Sequence, residues 1–346
     1  MKENYKAWAI DFDEFFKKTT DTERTRFFLS FVLLAPSGHN SQPWKFKIKD
    51  NIADIFFEKE RLVTASDEEG RQTFVALGCL ITNFSETVKA YGYTPIIKYN
   101  KDLSITNTSS LVQLSFIKES KNIQPNLVVL KSMTDRHTDR NKYNQKEFPD
   151  QLLKYISQLS DDSFLVSTVS DTIKRKILAS YAVDAQIDIM EKFSFRNELS
   201  HFIKNTLSSS KYGMTGNTLC LPLFVSFFAS KLISKINLSK ITKKKDFSLL
   251  YKSTPSFLFI SSKEDTPLAW IKSGELLENI WLESTKHLIS CHPLAAIIQN
   301  KSFRQKLSEE LKTDFYPNIF IRIGYSKANF FKIPSSPRFL VSDLII

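Results

Sequence analysis

The stretch APSGHNSQPWKF, residues 35–46, is a polar loop between two runs of apolar residues. Its Pro36 and Ser37 present backbone and hydroxyl groups, and Asn40 and Gln42 carry amides that both donate and accept hydrogen bonds. Paired amides of this kind suit the polar edge of a heteroaromatic ring. The competing interpretation is a tight loop in which both amides only cap their own backbone.

The residues on either side of this loop show the periodicity of regular secondary structure. Residues 21–34 predict a helix that begins after a polar cap and ends because the ring of Pro36 disfavours helix in the preceding residue. Aromatic-rich runs separated by Lys49-Asp50-Asn51 predict a β-hairpin. The predicted strands are residues 44–48, 53–57, 95–99 and 111–118, with a helix over 71–92 before the last two.

A weak internal repeat relates that helix to a second one later in the chain. FVALGCLITNF begins at Phe74 and WIKSGELLENI at Trp270, so Gly78 aligns with Gly274 in a shared GxLxxN pattern. Glycine within a helix costs on the order of 1 kcal/mol relative to alanine, and close approach of another helix would explain it in both copies. Chance similarity between two buried helices is the alternative. Prolines that follow the two copies are expected to form turns, at Pro95 and Pro293.

The second half carries a basic motif and an insertion. Residues 131–148 predict a polar lead-in to a helix, and they contain RHTDRNKY, in which Arg136 and Arg140 lie four residues apart with Thr138 between them. On a helix these side chains would project to one side and could clamp a phosphate dianion. The alternative is a solvated turn in which both arginines pair with the adjacent aspartates. Residues 172–250 have no counterpart in the first half, and such insertions commonly cover a site as a lid.

These motifs resemble those of the FMN-dependent nitroreductase superfamily. The loop resembles its APSxxNxQPW segment, RHTDR resembles its RxSxR phosphate-binding start with threonine for serine, and residues 321–345 resemble its closing strand, GY turn and late arginine. In that family a backbone N–H after the second helix faces the flavin N5, and the matching turn here is residues 291–295. The cofactor-binding residues that the resemblance implies are Pro36, Ser37, Gly38, Asn40, Gln42, Arg136, His137, Thr138, Arg140, Leu294, Ala295 and Arg338.

The order of the motifs differs from that of the ordinary family, in which RxSxR precedes APSxxN. The first half of this chain has only the loop, and the second half has only RHTDR and the late arginine. We therefore predict an α+β fold of two tandem nitroreductase-like half-units, residues 1–130 and 131–346, each with an antiparallel sheet and packed helices. They would form a pseudo-dimer around one flavin site. This arrangement is similar to the Acg-like branch, in which the region around 200–235 covers the flavin.

The resemblance implies a function that depends on the bound flavin. We expect an oxidoreductase that passes electrons from NAD(P)H through FMN to a nitroaromatic or quinone-type acceptor in a ping-pong cycle. Because the flavin performs the chemistry, we expect neither a catalytic side chain nor a metal site, and we interpret Cys291 and His292 as structural. The alternative is a protein that stores or sequesters FMN under its lid with little or no turnover.

Composition bounds the partners and the compartment. The formal net charge is +11, but the lysines are dispersed among acids, so we expect no nucleic-acid partner. Three widely spaced cysteines and an acidic N-terminal region predict a cytoplasmic protein. Residues 219–228 are too short to span a bilayer, so we expect no membrane partner and a buried or lid helix; a lid that touches a membrane is the alternative. A monomeric pseudo-dimer and a homodimer are both compatible with the fusion.

Overall fold

The structure is a computed structural model that describes residues 2–119 and 124–346. Its first half runs from one helix through a hairpin, a second helix and two further strands. A capping box at Thr20 and Glu23 begins the first helix. The elements are α1 (Asp21–Val32), β1 (Trp44–Lys49), β2 (Ile52–Phe57), α2 (Arg71–Ala90), β3 (Tyr93–Tyr99) and β4 (Val112–Lys118).

The second half contains more helix. Its elements are α3 (Leu127–Asp135), α4 (Asp150–Ser157), β5 (Phe164–Val169), α5 (Thr172–Ile189), α6 (Phe193–Phe202), β6 (Ile203–Lys204), β7 (Met214–Thr215), α7 (Leu223–Lys235), α8 (Leu238–Lys252), β8 (Ser256–Ser262), α9 (Pro267–Lys286), β9 (Ser290–Pro293), α10 (Ala296–Gln299), α11 (Lys301–Leu311) and β10 (Tyr316–Gly324).

Each half builds a four-stranded antiparallel sheet with the same winding. The strand orders are β1-β2-β4-β3 and β5-β8-β10-β9. In both sheets a long helix follows the second strand, the next strand lies at an edge, and the last strand lies between its two predecessors. The α+β class and the two half-units, each with an antiparallel sheet, are confirmed.

Helices α2 and α9 cross at the two aligned glycines. A Cβ atom on Gly78 would lie 1.9 Å from the carbonyl oxygen of Ile271, and one on Gly274 would lie 2.0 Å from that of Val75. No side chain fits at these distances, so only glycine allows the two backbones to meet. The close approach expected from the repeat is confirmed, and it joins the two halves through one continuous hydrophobic core.

The sheet of the second half is buried on both faces. Every residue of β8 is buried, because a second core forms between this sheet and α5, α8, α10 and α11. The predicted insertion therefore has two parts. Helices α5 and α8 complete the packing of the sheet, whereas residues 193–235, which we call the cover segment, lie over a cavity.

Two local predictions are corrected by the structure. Residues 131–135 are not a polar lead-in but the last turns of α3, whose Leu130 and Met133 pack into the core. Pro95 and Pro293 do not form turns but lie in β3 and β9. Both are edge strands, which pair with one neighbouring strand only. Proline is tolerated there because no second strand needs the N–H that it lacks.

Candidate functional site

The loop after α1 has a strained backbone. His39, Asn40 and Gln42 have φ values of 51°, 56° and 49°, in the left-handed region that residues other than glycine rarely adopt. Each such residue costs of the order of 1–3 kcal/mol and is found where the surrounding structure fixes it, often at functional sites. The contacts of this loop explain how it is held.

The loop lines a small polar cavity at the junction of the two halves. Its volume is about 70 Å³. Eight of the predicted site residues surround it, together with Trp8, His39, Met214 and Ser336. The eight are Pro36, Ser37, Asn40, Arg136, His137, Thr138, Arg140 and Arg338.

Two buried arginines of this cavity also hold the end of α1. Arg136 donates from Nη2 to the carbonyl oxygen of Leu34, and Arg338 donates from Nη2 to the carbonyl oxygens of Leu34 and Ala35 at 3.2 and 3.3 Å. Burial and the nearby Arg136 lower the pKa of Arg338 to about 9. Within the described residues, Nε of Arg338 has no hydrogen-bond partner. The cavity therefore contains concentrated positive charge and an unused buried donor.

Glu278 of α9 is the carboxylate that faces these arginines. Its Oε1 lies 3.0 Å from Nε of Arg136, but the N–H is not directed at that oxygen, so the contact is electrostatic. Full burial raises the pKa of Glu278 to about 7, and the attraction of Arg136 and Arg338 offsets only part of that effect. Two arginines against one weak acid leave a net positive site that suits an anion.

RHTDR is not helical, which corrects the geometry expected for it. Arg136 follows the end of α3 with extended backbone angles, and Thr138 forms a bridge with Cys291. Arg136, His137, Thr138 and Arg140 of this extended stretch all line the polar cavity. The arginines do not pair with the adjacent aspartates, because Arg140 donates to the carbonyl oxygen of Thr218 at 2.8 Å.

A second, larger cavity adjoins the polar one and shares part of its lining. Its volume is about 500 Å³, within the range of ordinary ligand pockets. Its walls come from α2 and α9, from the turn after β9 and from the cover segment. Lining residues that belong to the predicted site are Pro36, Ser37, Gly38, Thr138, Arg140 and Ala295.

The amides of Asn40 and Gln42 are engaged by other chain segments. Asn40 donates from Nδ2 to the carbonyl oxygens of Gly213 and Pro337, each at 2.9 Å. Gln42 donates to the carbonyl oxygen of Lys211 at 2.9 Å and accepts from the N–H of Phe339 at 3.2 Å. Gln42 lines neither of these two cavities. Both residues thus fasten the cover segment and the C-terminal tail to the loop.

The turn after β9 distinguishes the two candidate backbone donors. The N–H of Leu294 donates to the carbonyl oxygen of Phe320 at 2.8 Å, whereas Ala295 lines the larger cavity. Next to it, Nδ1 of His292 accepts from Nε of Arg322 at 3.1 Å. Burial and the two nearby arginines, Arg322 and Arg140, hold the pKa of His292 well below its usual value. The histidine is therefore neutral at physiological pH.

Sequence reasoning assigned no role to two residues at or near the site. His39 lines both cavities, and burial lowers its pKa to about 4. Glu198 of the cover segment accepts from the N–H groups of Ala65 and Ser66 at 2.8 and 3.0 Å. These contacts join residues more than a hundred positions apart, which no local pattern reports. Among the described residues, no cluster of His, Cys, Asp and Glu could hold a metal ion.

Comparison with known proteins gives relatives over nearly the whole chain. The chain is 21% identical over 333 residues to "Putative NAD(P)H nitroreductase acg" of Mycobacterium tuberculosis, covering 92% of this chain and 94% of the relative. It is 21% identical to "Probable NAD(P)H nitroreductase PigM" of a Serratia strain, covering 86% of each. The resemblance to nitroreductases, and to the Acg-like branch among them, is confirmed. No protein-family model matches the chain.

Solved structures of shorter chains also align. The FMN-dependent nitroreductase NfnB from Mycobacterium smegmatis, in complex with NADPH, aligns with a TM-score of 0.42 at 16% identity, covering 63% of this chain and 96% of its own. Iodotyrosine deiodinase bound to FMN and 3-iodo-L-tyrosine aligns with a TM-score of 0.38 at 11% identity, covering 61% of this chain and 95% of its own.

Proposed function

We propose that the two adjoining cavities hold one FMN and that the protein is an FMN-dependent NAD(P)H oxidoreductase. One observation carries this proposal. A 70 Å³ compartment with three arginines opens beside a 500 Å³ compartment of mainly apolar lining, and the two share residues of the same loop. A phosphate group and a flat aromatic ring system joined by a short chain match this pair of environments in charge and in polarity.

The residues present fit the phosphate end of that cofactor. Arg140 and Arg338 are cationic donors in the polar cavity, and Nε of Arg338 has no other partner within the described residues. Thr138 adds a hydroxyl, whereas the neutral ring of His137, whose Nδ1 donates to the carbonyl oxygen of Asp135, adds no donor for a phosphate. Arg136 lies beneath them with its charge partly balanced by Glu278. Each charge-assisted hydrogen bond to a phosphate contributes about 1.5–3 kcal/mol.

The two halves have separate roles in this proposal, with residues 1–130 and 131–346 as the tandem units. The first half supplies Pro36, Ser37 and Gly38 at the larger cavity, and the second half supplies the phosphate ligands and Ala295. Asn40 and Gln42 hold the cover segment against the loop. Because the second half contributes what a partner subunit would, we propose a monomer. The free cysteines Cys79, Cys220 and Cys291 support a cytoplasmic location.

When bound, the isoalloxazine ring would supply the redox chemistry, accepting a hydride from NAD(P)H and passing electrons to a nitroaromatic or quinone-type acceptor in a ping-pong cycle. The chain's own residues set its surroundings. Arg140 lines both cavities, and neutral His292 lines the larger one without adding charge. A ring held in the larger cavity would therefore meet the positive charge of Arg140 and otherwise mainly apolar side chains.

An absorption spectrum of the purified protein tests the proposal. A flavin spectrum that bleaches within seconds under anaerobic NADPH or NADH, and returns when a quinone is added, is expected. A colourless preparation that also fails to bind added FMN would contradict the cofactor assignment. Riboflavin in place of FMN is the matched control, because it lacks the phosphate that the polar cavity is proposed to hold and should bind much more weakly.

The fixation of the cover segment favours a second candidate, in which FMN is stored without turnover. Asn40, Gln42 and Arg140 donate hydrogen bonds to carbonyl oxygens of the cover segment. Glu198, which belongs to the cover segment, accepts a hydrogen bond from the N–H of Ala65. If the cover does not open, NAD(P)H cannot reach the ring. A yellow protein that stays oxidised under anaerobic NADPH, yet bleaches with the small reductant dithionite, would support storage rather than turnover.

A further inference from the structure

Helix α7 has its large apolar side chains on the wrong side for a surface helix. Its solvent face carries Leu223, Phe224, Val225, Phe227, Phe228 and Leu232, all exposed. Phe224 is 74% exposed and Phe228 55%. The opposite face, which is buried, presents Ser226 and Ala229. Ordinary surface helices direct the apolar stripe toward the core and the polar residues toward water.

The orientation of α7 is fixed by its small residues. Oγ of Ser226 accepts from the N–H of Thr206 at 3.1 Å, and Oγ of Ser230 donates to the carbonyl oxygen of Ser200 at 2.8 Å. A Cβ atom on Gly216 would lie 2.4 Å from Cβ of Ser226, so this contact has no room for a larger side chain. The helix therefore cannot roll over to bury its phenylalanines. Of the buried or lid helix predicted for residues 219–228, the structure gives a helix of the cover segment that begins at Leu223 and whose large apolar side chains are exposed.

The charge around α7 is strongly one-sided. Residues 203–245 contain eight lysines and no aspartate or glutamate, so this stretch carries most of the chain's net charge of +11. The dispersal of lysines among acids that composition indicated does not hold here. Three of the eight pair with acids outside the stretch: Lys211, Lys240 and Lys243. Lys231 and Lys235, on α7 itself, form no ion pair within the described residues.

We propose that the outer face of α7 docks on an anionic phospholipid bilayer. Its phenylalanines and leucines would enter the boundary between headgroups and acyl chains, and the flexible stems of Lys231 and Lys235 would bring their ammonium groups to the lipid phosphates. The helix lies on the surface rather than across it, because it has 13 residues and, in the described part of the chain, no helix is long and apolar enough to span a membrane. This docking takes up the alternative that the sequence left open, a lid that touches a membrane.

Charge favours a lipid surface over a second copy of the chain. In a dimer formed through α7, the lysines of both copies would meet across an apolar contact and repel one another. An anionic bilayer offers the apolar phase and the opposite charge together. The proposal concerns the outside of the cover segment and does not depend on flavin binding.

Sedimentation with vesicles tests the docking. The holoprotein is incubated at 100 mM NaCl with vesicles of phosphatidylcholine alone or with 30% phosphatidylglycerol. Binding to the anionic vesicles is expected to be at least tenfold tighter. Phe224→Ser with Phe228→Ser, and separately Lys231→Glu with Lys235→Glu, should each weaken it at least tenfold. Matched controls on other surfaces, Phe331→Ser and Lys174→Glu with Lys176→Glu, should stay within twofold of the wild type.

All the substituted side chains are exposed, so the variants should fold, and unchanged thermal unfolding is the check. Equal binding to neutral and anionic vesicles, or no binding to either, would overturn the proposal. So would the α7 variants binding as the wild type does. Conversion of a dimer into a monomer by Phe224→Ser with Phe228→Ser in sedimentation velocity, without lipid binding, would show self-association instead.

Discussion

The two halves of the chain share one sheet topology, but only the second has its sheet buried on both faces. Helices α2 and α9 occupy equivalent places and meet at Gly78 and Gly274. The site, in contrast, lies where the halves differ, with the strained loop in the first and RHTDR with Arg338 in the second. The shared elements supply a rigid frame, and the elements found in only one half supply the chemistry. A test of this division should separate variants that damage the frame from those that damage the site.

The largest expected effect is on cofactor retention. Arg136→Ala with Arg140→Ala removes two cationic groups from the polar cavity, and at about 1.5–3 kcal/mol for each charged hydrogen bond the affinity for FMN should fall by more than a hundredfold. Equilibrium dialysis or flavin fluorescence measures this. Arg24→Ala with Arg26→Ala, on α1 away from the cavity, is the charge-matched control. Full FMN occupancy in the first variant would refute the proposed phosphate ligands.

Substitutions in the frame should lower the stability of the protein rather than its affinity for FMN. Gly78→Ala and Gly274→Ala each place a Cβ atom about 2 Å from a backbone carbonyl oxygen of the facing helix, so the helices must separate. Each substitution is expected to lower the free energy of unfolding by about 3 kcal/mol, as overpacked cores do. Urea unfolding measures the change. Gly38→Ala is the control, because its nearest neighbour, Cγ2 of Val63, would lie at an ordinary 3.5 Å.

The contrast between frame and site also explains what the sequence could predict. The glycines were visible because glycine within a helix is unfavourable unless something approaches closely, and the pattern repeats at equal spacing. The loop and RHTDR were recognisable as compact motifs. The contacts of Asn40 with Gly213 and Pro337 were not, because they join segments more than 170 residues apart. Likewise, helical periodicity shows which apolar residues of α7 share a face, but not whether that face points toward the core or toward solvent.

A smaller effect is expected where the cover segment meets the loop. Gln42→Ala removes the hydrogen bonds to Lys211 and Phe339, and each is worth about 1 kcal/mol. Gln42 lines neither of the two cavities, so its substitution can act on the flavin only by loosening the cover. The rate of flavin release should then rise roughly fivefold. Stopped-flow fluorescence measures the rate of flavin release, and limited proteolysis around residues 205–213 measures the loosening of the cover. Asn107→Ala, which removes amide hydrogen bonds within a loop of the first half that lines neither cavity, should change neither. Faster release without increased proteolysis would instead indicate direct contact with the flavin.

The last prediction concerns pH and tests whether Glu278 is a weak acid in the folded frame. Its pKa is raised from 4.5 to about 7, so between these values the folded protein binds a proton that the unfolded chain has released. The stability that this proton provides is complete below pH 4.5 and is lost as the pH rises through 7.

Buried His39 and His137 act in the opposite direction, because their pKa values are lowered from 6.5 to about 4 and stability rises with pH across that interval. The comparison of the wild type with Glu278→Gln cancels the histidine contribution. Relative to this variant, the wild type should lose stability as the pH rises from 4.5 to 7, as measured by urea unfolding of the apoprotein at several pH values. A difference that does not vary with pH would mean that Arg136 keeps Glu278 ionised throughout, and the buried site would then be closer to neutral than its two arginines and one weak acid imply.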